Sequence, residues 1–217
     1  MNLYSNVPAV LSEIVANSWD ADAENVKVTI DKENETITIE DDGIGMDRDD
    51  VIDHFLTVGF KRRAELGELT PLKKRKPMGQ KGIGKLSSFS IARVVEVYTI
   101  KDGQRTAFRM DRDVIKARIS SNDSVPYEPP ELPNWPKSLK AGTRIVLSGL
   151  SKKLSEMTVA GLKRRVARRF AIIGPKFHFR VQVEGEETVP SRPQTSPKYR
   201  VGWRRWKAPR KRKRSAG

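Results

Sequence analysis

Three stretches of the sequence carry side chains whose types and spacing suit phosphate chemistry. In VPAVLSEIVANSWDA, residues 7–21, Glu13, Asn17 and Asp20 stand at i, i+4 and i+7. On a helix they stack along one side, while Val7, Val10, Leu11, Ile14, Val15 and Ser18 line the other. An amide oxygen is a neutral ligand for a hard cation such as Mg²⁺, and a glutamate takes a proton from an attacking water. Taken alone, the stripe also describes the polar side of a surface helix. Asp22 falls off it and receives no role. TITIEDDGIGM, residues 36–46, is an alternating strand that runs into Asp41, Asp42 and a Gly43-Ile44-Gly45 turn. GQKGIGKLSSF, residues 79–89, is a glycine loop opening an apolar segment. Backbone N–H groups in such a loop approach phosphates at a helix N-terminus.

With these stretches in this order the sequence resembles the GHKL superfamily: gyrase B, the ninety-kilodalton heat-shock chaperone, histidine kinases and MutL. The family's ExxxN followed by DA is Glu13 to Asn17 with Asp20-Ala21. Its DxGxG is Asp41-Asp42-Gly43-Ile44-Gly45, and its GxxGxG is Gly79-Gln80-Lys81-Gly82-Ile83-Gly84. The GT of a late strand is Gly142-Thr143 in GTRIVL. Four motifs in family order, over residues 7–185, are far more specific than any one of them.

The resemblance implies the Bergerat ATP-binding fold, an α+β two-layer sandwich of a mixed, mostly antiparallel sheet with helices on one face. It implies ATP and Mg²⁺ as ligands. Asp41 would accept from the adenine amino group, an acceptor that selects against guanine, whose matching edge carries a carbonyl. Gly43, Gly45 and Met46 would surround it, and Thr143 would support the adenine side through its hydroxyl and a water. Asp42 reads as a turn or surface residue. Asn17 would hold Mg²⁺, Asp20 would order waters near the adenine, and Glu13 would activate the attacking water. Gly79, Gln80, Lys81, Gly82, Ile83, Gly84 and Lys85 would serve the phosphates. GQKGIGKL also fits GxxxxGK, but Leu86 stands where a phosphate loop needs Ser or Thr, and KKRKPM before it is no buried strand.

The expected activity is slow, Mg-dependent ATP hydrolysis that drives a conformational switch. The alternative is a nucleotide-gated regulatory module that barely hydrolyses. A histidine kinase is disfavoured: such kinases usually lack the Glu13 carboxylate, and no phosphoacceptor helix precedes it. Gyrase- and MutL-like ATPases take a γ-phosphate-binding lysine from a second domain, for which these residues leave no room. Completion by another domain or chain, or ATP-dependent dimerisation, is therefore expected.

The 217 residues include no cysteine and carry a net charge of +15. Disulfides and thiol chemistry are excluded, and His54 and His178 form no metal cluster. No apolar run reaches a membrane span and no signal peptide is evident, so a cytoplasmic protein, or a nuclear one in a eukaryote, is the expectation. Residues 161–217 hold 18 Lys/Arg and 3 Asp/Glu, so the rest is neutral. This asymmetry points to a polyanion partner, nucleic acid first. Arg164, Arg165 and Arg168 on a basic helix, with Arg204, Arg205, Arg210, Lys211 and Arg212 in the tail, are the candidate contacts, and Trp203 and Trp206 would stack on unpaired bases.

Strands are expected at 26–30, 35–40, 94–100, 105–111, 142–150 and 177–185, with helices at 7–21, 47–58 (capped by Asp47), behind the glycine loop from Leu86, and at 155–173. Residues 59–79 read as a mobile loop, the ATP lid by resemblance. Residues 121–140, with five prolines, form an irregular excursion. The domain spans residues 1–187, and residues 188–217 form a basic tail, flexible without a partner.

Overall fold

Alternation of apolar and polar residues builds the sheet, and among the described residues one apolar helix covers it. The computed structural model describes residues 7–52, 69–78, 87–121, 127–151 and 177–184. They contain α1 (Val7–Asp20), β1 (Asn25–Asp31), β2 (Thr36–Asp41), β3 (Ala92–Lys101), β4 (Gln104–Asp111), α2 (Arg112–Ser120), β5 (Gly142–Leu150) and β6 (His178–Val183). The strands form one sheet in the order β4-β3-β5-β2-β1-β6. Each neighbouring pair is antiparallel except β1 with β6, so the α+β architecture with a mixed, mostly antiparallel sheet is as the sequence implies.

Cross-strand register arranges the inward side chains in rows. One row runs Phe108, Val97, Ile145, Ile39, Val28, Val181. The next runs Met110, Val95, Leu147, Ile37, Ile30, Val183. Val7, Val10, Leu11, Ile14 and Val15 of α1 join them in a single core. Leu11 and Val15 are fully buried, each worth about 1.5–3 kcal/mol of transfer energy as an upper bound.

The turns follow local chemistry. Asp31 accepts from the amides of Glu33 and Asn34 and from the Asn34 side chain, closing the β1–β2 connection. Asp102 and Gly103, at φ 50° and 79°, make the two-residue β3–β4 hairpin. Asp47 and Asp50 cap a helical turn reciprocally, each accepting from the other's amide at 2.8 and 3.1 Å. That is the start of the expected 47–58 helix; its residues from 53 on lie outside the described residues.

Two elements differ from the sequence reading. Of the segment expected to be a helix from Leu86, which itself lies outside the described residues, Ser87 is helical and a 3-10 turn follows at Ser88–Ser90, and β3 begins at Ala92 rather than Val94. Three serines favour a turn, and Ile91 and Ala92 bury themselves into the sheet. The helix α2 has no counterpart in the sequence reading. Asp111 caps it, accepting from Asp113 N, and none of its residues is buried, so it leaves no apolar stripe to read. The proline-rich excursion runs along the free edge of β4. Pro130 O accepts from Arg109 N and Ala107 O from Leu132 N, with Phe108 bridged to Glu131, which shields an otherwise open edge. Among the described residues no helix is long and apolar enough to cross a membrane.

Candidate functional site

A third inward row lies one step along the strands from the aliphatic ones, and its centre is polar. It runs Thr106, Thr99, Thr143, Asp41, Val26, Phe179. Thr99 and Thr143 are 0% and 6% exposed. Buried polar groups need partners, and these find one another: the two threonine hydroxyls stand 3.1 Å apart. Thr99 Oγ1 also accepts from Met46 N at 2.8 Å, which fixes the loop after β2.

Asp41 ends β2 beneath the last turn of α1. Its Oδ2 accepts from the Ser18 hydroxyl at 2.7 Å, and its Oδ1 from Gly43 N at 3.0 Å and Thr143 N at 3.3 Å. Burial pushes its carboxyl up to about 6, against the pull of those three hydrogen bonds. The result is a carboxylate that is surrounded by donors yet desolvated, a strong acceptor for one more donor on Oδ2. Two glycines permit the arrangement. Gly142 has φ 79°, and a Cβ there would stand 2.1 Å from Asp41 O. Gly45 has φ 70°, and its Cβ would stand 1.9 Å from Ile100 O. Asp42 is exposed, as read from the sequence, but it is also a staple. It accepts from the amides of Glu24 and Asn25 and from the Asn25 side chain. Partial burial would raise its carboxyl; the Asn25 and Glu24 hydrogen bonds win and hold it below the usual range.

On α1 the polar stripe passes from half-buried Glu13 through exposed Asn17 to buried Asp20. Asp20 Oδ1 accepts from Met78 N at 2.7 Å, immediately before the glycine loop. Residues 69–78, part of the loop read from the sequence at 59–79, have no helix or strand and carry hydrogen bonds to the end of α1. Asp22 Oδ2 accepts from Leu72 N at 2.7 Å, and Oδ1 accepts from the Thr70 hydroxyl. Trp19 Nε1 donates to Lys76 O at 3.1 Å. The Arg75 guanidinium lies 4.2 Å from the Trp19 ring centre and donates to Ala23 O. Lys73 pairs with Glu24. Asp22 holds φ 61°, uncommon outside glycine but tolerated by Asp.

The structure thus brings Asp41, Gly43, Gly45, Met46 and Thr143 together under the end of the helix that bears Glu13, Asn17 and Asp20. Gly79, Gln80, Lys81, Gly82, Ile83, Gly84 and Lys85 lie outside the described residues. So do lid residues 59–68, Arg164, Arg165, Arg168, Arg204, Arg205, Arg210, Lys211 and Arg212. Three contributors escaped the sequence reading. Ser18 falls by helical period on the apolar face of α1. Thr99 continues the inward alternation of Val95 and Val97, and a hydroxyl at an inward position was its only signal. Asp22 sits off the stripe, and nothing in its spacing marks it.

Comparison with known proteins points to one family. A family model for histidine kinase-, DNA gyrase B- and HSP90-like ATPases matches residues 4–143. A putative type II restriction enzyme, HgiDII, of Herpetosiphon aurantiacus is 37% identical over 179 residues, 82% of this chain and 28% of the relative. The chaperone protein HtpG of Pseudoalteromonas translucida is 37% identical over 131 residues, 51% of this chain and 21% of the relative. HtpG of Shewanella amazonensis is 38% identical over 119 residues, 45% and 19% of the two chains. The chain therefore spans from about a fifth to just over a quarter of the length of these relatives. It belongs to the histidine kinase-, DNA gyrase B- and HSP90-like ATPase family.

Proposed function

We propose that this chain binds ATP with Mg²⁺ and hydrolyses it slowly, as a nucleotide-driven conformational switch. Membership of the family makes it an ATP-binding domain. The observation that best supports the finer reading is the desolvated Asp41 carboxylate, with an acceptor position left on Oδ2 and the Thr143 hydroxyl beside it. An acceptor next to a hydroxyl suits the adenine edge.

The donor set of α1 fits a hard cation, because exposed Asn17 offers a neutral oxygen and Mg²⁺ takes its other ligands from phosphates and water. Mg²⁺, when bound, offsets the negative charge of the phosphates. Glu13, one turn before Asn17, takes the proton of the attacking water. Asp20 fixes Met78, so the chain enters the loop Gly79–Lys85 from an anchored point, and that loop's amides bind the phosphates.

The unit is residues 1–187, and residues 188–217 are a basic extension toward nucleic acid. The name of the HgiDII relative, a putative restriction enzyme, fits a DNA-acting whole protein. A second domain or chain, or dimerisation, completes the γ-phosphate side, and the protein works in the cytoplasm.

Phosphate release by wild type and Glu13→Ala, with ATP affinity measured in parallel, tests the hydrolytic part. Turnover should fall by about 10²–10⁴ while affinity is kept. Wild type turning over no faster than the variant would instead favour the non-hydrolysing, nucleotide-gated module.

A further inference from the structure

A fully buried hydroxyl must place its one proton. Thr99 is 0% exposed, and its Oγ1 accepts from Met46 N at 2.8 Å. An amide N–H only donates, so that bond leaves the Thr99 proton unused. Among the described residues the acceptor in reach is Thr143 Oγ1, 3.1 Å away. The bond between the two threonines therefore runs from Thr99 to Thr143, and the Thr143 proton is turned away from Thr99. Asp41 takes its own hydrogen bonds from the Ser18 hydroxyl and from the amides of Gly43 and Thr143.

We propose that Thr99 is a specificity-determining positioning residue. Through the relay Met46 N–H to Thr99 to Thr143, the backbone fixes the Thr143 hydroxyl as a donor toward the nucleotide base, beside an Asp41 that accepts. The inference rests on the ATP reading above. Adenine presents an amine donor next to a ring-nitrogen acceptor. Guanine presents a carbonyl acceptor next to a ring N–H donor, and so mismatches both groups. Without the relay the Thr143 hydroxyl can turn around, and only half of the discrimination remains.

Register supports the assignment. Thr99 and Thr143 are direct partners on β3 and β5, and Thr143 and Asp41 on β5 and β2, so three strands carry the array. Valine has nearly the shape of threonine and suits a strand, so Thr99→Val removes the relay with little change of packing. Thr99→Ser restores it.

Calorimetric titrations with ATP, GTP and 1-deaza-ATP, which lacks the ring-nitrogen acceptor, test the proposal. Thr99→Val, which also leaves Met46 N without its acceptor, should lower the ATP-to-GTP affinity ratio about tenfold, while Thr99→Ser keeps it. Wild type should bind 1-deaza-ATP about tenfold more weakly than ATP, and Thr99→Val should bind the two alike. Equal losses for ATP and GTP in Thr99→Val would mean a structural role alone and overturn the proposal. So would equal affinity of the wild type for ATP and 1-deaza-ATP, a result that needs no variant. Wild type that binds none of the three would overturn the ATP reading, and this proposal with it.

Discussion

Asp41 is an acid whose folded pKa lies above its ordinary value, about 6 against 3.8. Such a group opposes the fold when ionised. Its penalty is absent below 3.8, grows as pH rises through the interval and is complete above about 6. At 1.36 kcal/mol per pH unit the penalty is on the order of 3 kcal/mol. The fold carries an unfavourable charge at a position where a ligand donor would relieve it, which is what a binding residue looks like energetically. On the proposed reading, ATP binding uses the ionised acceptor. Affinity should therefore be flat above pH 6 and fall by up to about tenfold per pH unit below it. Titrations across that range check this, and in Asp41→Asn the dependence should flatten. Asp41 itself was legible from DxGxG. Its supporters were less so, because Ser18 and Thr99 look like ordinary members of an apolar face and a strand until register sets them beside it.

At the scale of elements, all six strands were legible because each has an inward apolar alternation, and α1 because its apolar face is unbroken. The helix α2 and the strap at 69–78 were not. Neither buries an apolar stripe, and the strap is held by hydrogen bonds to residues some fifty positions away, which no local pattern encodes. Asp22→Ala should remove two of those bonds and place alanine at φ 61°, costing about 1–3 kcal/mol. Native-state hydrogen exchange should then quicken at Leu72 and Arg75, with Asp22→Asn intermediate because Asn tolerates the same backbone. Unchanged exchange would show that the contacts of Asp20, Trp19, Glu24 and Arg75 suffice to hold the strap. Gly142→Ala sets a Cβ 2.1 Å from Asp41 O at a positive φ and should destabilise the fold by about 3 kcal/mol or more in thermal or denaturant melts.

For the whole molecule, charge and family membership point in complementary directions. The family match covers residues 4–143, whereas the excess charge lies in residues 161–217. A neutral nucleotide-binding part followed by a strongly basic one fits the proposed action on a polyanion. Removal of residues 189–217 should weaken DNA binding and flatten its salt dependence, read from affinities across a salt series, because fewer counterions are released. The central claim remains the nucleotide. Calorimetry of the folded chain with ATP and Mg²⁺, run beside Asp41→Asn, tests it most directly. The account predicts saturable binding of ATP, weakened at least about tenfold in the variant. Well-folded wild-type protein that gives no binding heat at about millimolar ATP, where an affinity of only −4.1 kcal/mol would register, would contradict it.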